Sequence, residues 1–135
     1  MNEPITVETD LFDHREVKPN FINPCSFGED FAGWLKQELS RFPDLGLELS
    51  EPIQEDYGWG FWATREKDRF WIVFSYVGNG PQESPAQWVV SASDAPGFNL
   101  VKRIFHRSSQ RTLIQIRKHI RHVLASNSAI KLIQR

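Results

Sequence analysis

The chain has 135 residues, 40% hydrophobic and 24% charged, with five Trp, ten Phe and two Tyr. That is the size of one domain with a real core, and too apolar and aromatic for disorder beyond the ends. The net charge of −1 hides an asymmetry: residues 1–94 hold all 17 acids against 7 bases, a balance of −10, whereas residues 95–135 hold nine bases and no acid.

Apolar runs such as Phe70-Trp71-Ile72-Val73-Phe74 are strand-length and far short of a membrane span. The acidic start, MNEPITVETD, has neither the basic region nor the apolar core of an export signal. Cys25 is the single cysteine and can form no internal disulfide, which together with the missing signal points to a cytoplasmic protein.

In chain order, residues 4–24 mix Ile5, Val7, Leu11, Phe12 and Val17 with acids and predict one or two short strands, with Pro19 and Pro24 excluding a helix. Ser26-Phe27-Gly28-Glu29 fits a capping box. Phe27, Phe31, Trp34, Leu35 and Leu39 follow at helical spacing, predicting a helix over 27–41 that stops before Pro43. Leu45, Leu47 and Leu49 then alternate with polar or small residues, as in a half-buried strand. Residues 58–65 and 69–77 flank Glu66-Lys67-Asp68, a polar hairpin turn, and residues 87–93 form a further strand. Short connections favour an antiparallel meander of four.

Residues 98–107 fit no pattern. A second helix is predicted over 109–125, capped by Ser108 or Ser109 and striped by Leu113, Ile116, Ile120, Val123 and Leu124. Asn127 suits a helix stop, and residues 129–133 suit a last strand. The expected architecture is one α+β domain over 1–135: a mainly antiparallel sheet of about four to six strands, with two helices packed on one face.

The stretch Gln54-Glu55-Asp56-Tyr57-Gly58-Trp59-Gly60-Phe61-Trp62 concentrates acids and aromatics. Its glycines have no nucleotide-binding spacing. In a strand, Trp59 and Phe61 share one face while Gly60 and Trp62 share the other, so one aromatic set needs a cover beyond the helices. Glycine there also lets a neighbouring ring lie over bare backbone. Core packing explains part of the set; a partner would explain Glu55, Asp56, Tyr57, Trp59 and Trp62 as contact residues. Adjacent carboxylates on a strand point apart, which disfavours Glu55 and Asp56 as an acid–base or metal pair.

His119 and His122 sit three apart on a helix edge, but two histidines make no zinc site, and His106 and His14 complete none by spacing. Cys25 precedes a helix without an assigned His partner. No catalytic constellation, cofactor motif or metal motif emerges. The basic segment offers Lys102, Arg103, Arg107, Arg111, Lys118 and Arg121 as an alternative anion- or nucleic-acid-binding surface, without a reading motif. The −10 and +9 segments either neutralise one another in one domain or leave a dipolar surface.

Glu51-Pro52, Glu55-Asp56-Tyr57-Gly58-Trp59, Tyr76-Val77-Gly78 and Trp88-Val89-Val90, with the short closing strand at 129–133, resemble a family of small uncharacterised bacterial α+β proteins with a Glu-Asp-Tyr-Gly-Trp strand motif. The resemblance implies the same order of elements and a bacterial, cytoplasmic setting, and supplies no activity or catalytic residue. Small α+β proteins of this appearance include immunity proteins that neutralise toxins, an analogy of fold alone. The expectation is a non-enzymatic bacterial binding protein, immunity-like, with a basic protein partner; the alternative is nucleic-acid or anionic-ligand binding through the basic segment.

Overall fold

A computed structural model of the chain describes residues 4–22, 26–78, 84–94 and 107–133, with side chains of the second helix from Gln110 onward. Its strands are β1 (Ile5–Glu8), β2 (Glu48–Leu49), β3 (Ile53–Glu55), β4 (Gly58–Arg65), β5 (Asp68–Tyr76), β6 (Gln87–Asp94) and β7 (Lys131–Ile133). Its described α-helices are α1 (Glu29–Leu39) and α2 (Arg107–Ala125).

All the strand pairs are antiparallel, in the order β2-β4-β5-β6-β1-β7, with β3 pairing β4 beside β2. The fold is therefore α+β, and among the described residues the sheet has seven strands rather than four to six. The expected meander is present as β2-β4-β5-β6, and the strands expected near either end of the chain join it as β1 and β7; the additional strand is the three-residue β3, which pairs β4 beside β2. β1 pairs with both β6 and β7, placing Val7 opposite Trp88 on one side and Leu132 on the other.

One face of the sheet carries the core. Phe61, Phe70, Ile72, Phe74, Trp88, Val90 and Val7 are fully buried there, beneath Phe31, Leu35 and Leu39 of α1 and Ile116, Ile120 and Leu124 of α2. The predicted apolar stripe of α2 is buried throughout. Arg117 ties that helix to the sheet, its Nε and Nη2 both donating to the Ala92 carbonyl at 3.2 and 2.8 Å. At its end, Asn127 accepts the Ala129 amide through Oδ1, which turns the chain into β7.

Four local expectations are corrected. The cap of α1 is Gly28, not Ser26: Gly28 adopts φ 127°, which favours glycine, and its carbonyl accepts the Ala32 amide. Ser26 instead makes tertiary bonds, its hydroxyl donating to the Glu55 carbonyl and its own carbonyl accepting the Trp59 indole. The helices run over 29–39 and from Arg107, so Ser108 and Ser109 fall inside the first turn of α2. Residues 43–45 close a 3-10 turn, leaving β2 only two residues of the expected leucine strand. The β4–β5 turn holds two residues, with Glu66 in the left-handed region (φ 56°), so Asp68 belongs to β5. Cys25 and His106 lie outside the described residues, as do positions 98–106.

Residues 9–22 form no second strand. They run along the helix side of the sheet and add aromatic rings to the core. Phe12 stacks on Phe31 at 4.1 Å, His14 stacks on Tyr76 at 5.1 Å, and Phe21 meets Trp59 at 5.3 Å. Asp30, in the first turn of α1, holds this segment by accepting the Asp13 amide at 2.7 Å.

Candidate partner-binding surface

Alternation along β4 sends Trp59 and Phe61 to the helix side and Gly60 and Trp62 to the opposite side. The two-residue turn sets Trp62 directly across from Trp71 on β5, and their rings lie 4.8 Å apart. The Arg69 guanidinium sits 4.2 Å above the Trp62 ring, a cation–π contact. Trp71 reaches diagonally over Gly60: a Cβ there would stand 2.6 Å from the indole and 2.6 Å from the Ile72 carbonyl oxygen. The indole nitrogen of Trp71 donates to the Tyr57 hydroxyl at 3.1 Å.

Ile53 pairs with Gly60 from β3 and so shares this face. The described helices lie on the other side, which leaves Trp62, Trp71, Val73 and Val89 half-buried, Ile53 40% exposed and Tyr57 56% exposed. Glu48 and Glu55 project from β2 and β3 on the same face, by their pairing with Thr64 and Gly58. Asp56 and Tyr57 form the β3–β4 turn. The 54–62 stretch is therefore a hairpin, with Asp56 at its tip rather than on a strand. Aromatic surface bordered by carboxylates suits a partner with apolar anchors and basic side chains.

Glu55, Asp56 and Tyr57 thus lie at the β3–β4 turn end of the open face, whereas Trp62 stands in the middle of β4 and is joined to Tyr57 through Trp71. Trp59 is corrected: at 3% exposure, with its indole donating to Ser26 at 2.9 Å, it belongs to the core and offers a partner nothing. Sequence reasoning missed Trp71, Arg69 and Ile53. The signal was the turn length, since a two-residue loop puts 71 opposite 62, whereas a three-residue loop would put Ile72 there.

The basic alternative is only partly visible. Lys102 and Arg103 lie outside the described residues, as does the side chain of Arg107. Arg111 and Lys118 are exposed and one face of α2 carries both; Arg121 is half-buried, and Arg117 is engaged with β6. His119 and His122 flank Phe42, and the His119 ring meets the Gln115 carbonyl at 2.8 Å. Among the described residues no group of His, Cys, Asp or Glu is arranged to hold a metal ion, and no helix is long and apolar enough to cross a membrane. No protein-family model, curated protein or solved structure matches the chain.

Proposed function

We propose that the chain is a non-enzymatic bacterial binding protein, immunity-like in role, that docks a basic protein partner on the open face of its sheet. The observation that supports this reading is the Trp62–Trp71 pair, braced by Tyr57 and Gly60 on the side away from the helices and bordered by Glu48, Glu55 and Asp56. Paired, rigid aromatic rings lose little conformational entropy on binding and serve as anchors. The surrounding carboxylates steer and select a cationic partner.

The test is quantitative co-purification from the native host with the wild-type chain and with Trp62→Ser/Trp71→Ser, after circular dichroism shows that both fold. The expected result is a stoichiometric basic protein retained by the wild type and lost from the double variant. Equal retention by both, or none by either, refutes the reading.

A second reading follows from the exposed Arg111 and Lys118 on α2: binding of an anionic ligand or nucleic acid. It requires oligonucleotide affinity that falls steeply with salt. No binding at low salt excludes it.

A further inference from the structure

The C-terminal end of α1, the 3-10 turn at 43–45 and β2 enclose a recess of about 450 Å³. Leu39, Phe42, Pro43, Leu47 and Leu49 supply its apolar walls. Leu39 is buried, whereas Phe42, Leu47 and Leu49 are half-buried and keep surface within reach of a ligand. Leu49 pairs with the buried Ala63, which places it on the helix side of the sheet. The recess is thus a part of the core that opens to solvent, and its volume falls within the range of small-ligand sites.

The backbone around it offers a ligand little to bond. Ser40 accounts for the Lys36 carbonyl through its amide and the Gln37 carbonyl through its hydroxyl. Arg41 and Phe42 donate to Glu38 and Leu39, and Leu45 and Gly46 to Phe42 and Pro43. The ionisable group that lines the recess is Lys36, with a side chain 26% exposed. Its ammonium donates to Glu51 at 2.8 Å, a carboxylate 87% exposed. Exposed pairs of this kind are worth little, so another carboxylate can replace Glu51 at small cost. A second cation stands beyond Gly46, where a Cβ would lie 3.8 Å from Arg65 Nε. Among the described residues Arg65 makes no ion pair, and no acid lines the recess.

We infer that this recess binds a free hydrocarbon-chain monocarboxylate of about the size of octanoate, its chain against Phe42, Leu47 and Leu49 and its carboxylate on Lys36 Nζ. The satisfied backbone and apolar walls call for a ligand body without polar groups, because a buried polar group left without a partner is costly. The ammonium at the rim calls for a single anionic head, and the Arg65 charge favours the same sign. The recess lies on the helix side of the sheet, away from the Trp62–Trp71 pair, so it stands or falls independently of the proposed docking face.

The test follows the Leu47 and Leu49 methyl groups by proton–carbon correlation in the full chain while octanoate is titrated. Octanol and octylammonium chloride, matched in chain length, are titrated separately at equal ionic strength. The expected result is a saturable shift with octanoate, at least about fivefold tighter than with either comparator. Hexanoate, two methylenes shorter, is expected to bind roughly tenfold more weakly. Lys36→Met keeps an apolar stem and removes the ammonium; it should weaken octanoate at least about fivefold and leave octanol unchanged. Trp62→Ser/Trp71→Ser should bind octanoate as the wild type does. No saturable shift below the concentration at which octanoate self-associates overturns the inference, as does equal affinity for octanol or octylammonium. Unchanged octanoate affinity in a folded Lys36→Met overturns it too. Tighter binding of an acetylated Leu-Leu dipeptide with a free carboxylate also overturns it, by making the occupant a protein C-terminus. The comparisons among probes use only the wild type, so they decide the matter even if the variant does not fold.

Discussion

Replacing Gly60 with alanine tests the construction of the open face directly. The new methyl would lie 2.6 Å from both the Trp71 indole and the Ile72 carbonyl oxygen, well inside contact distance. Overpacking of this kind costs about 1–3 kcal/mol. Alanine regains roughly 0.5–1 kcal/mol in backbone entropy relative to glycine, so a net loss of about 1–2 kcal/mol is expected. In this size range each kcal/mol lowers the melting temperature by about 3–6 °C. Much of the cost is assigned to the indole, and Trp71→Ala removes it. Urea unfolding of wild type, Gly60→Ala, Trp71→Ala and the double variant therefore forms a cycle, with a coupling of about 1 kcal/mol expected. A Gly60→Ala chain as stable as wild type, or costs that add within about 0.3 kcal/mol, would refute this account of the Trp71 packing.

Three further outcomes are expected. Phe31→Ala removes the ring that stacks on Phe12 and meets Phe74 and Trp88; chemical denaturation should show a loss of about 3–5 kcal/mol. Arg117→Met keeps the aliphatic stem but removes both donors to Ala92, and the same assay should show a loss of about 1–2 kcal/mol. For Asp30, burial is the largest cause of a folded pKa raised above 3.8, so the folded state holds that proton more tightly than the unfolded chain. Its contribution is fully favourable below the unfolded value and is lost as pH rises through the folded one. Wild type should therefore gain stability over Asp30→Asn as pH is lowered from neutral to about 4, and a pH-independent difference would contradict the buried carboxyl.

Local periodicity made most of the core legible. The stripes of α1 and α2, and the alternation of Trp59, Phe61 and Ala63 against Phe70, Ile72 and Phe74, are repeats that a few neighbouring residues define. What failed was decided by contacts between distant residues. Ser26 had the chemistry of a cap, but its hydroxyl and carbonyl serve the β3–β4 hairpin. His14 looked isolated because Tyr76, which stacks on it, lies far along the chain. The binding face was half legible. Alternation put Trp62 on the second face, but a turn misjudged by one residue hid its pairing with Trp71. Trp59 was misassigned because alternation says which residues share a face, not which face the helices cover.

The placement of β1 has a consequence for how the molecule comes into being. Among the described residues β7 pairs with β1 alone, so the last strand is attached to the sheet by the first. The Thr9 hydroxyl reinforces the join by donating to the Ala129 carbonyl across 120 positions of chain. A chain emerging from the ribosome can form the β3–β6 meander early from near neighbours, yet residues 5–8 must wait for β6 before they have any partner. Once β1 has docked on β6, its other side, residues 6–8, stays an open edge until β7 emerges, a template for pairing with another chain. Slowed synthesis after β6, or truncation before residue 131, should therefore expose this molecule to misassembly at β1, and the arrival of β7 is what covers that edge.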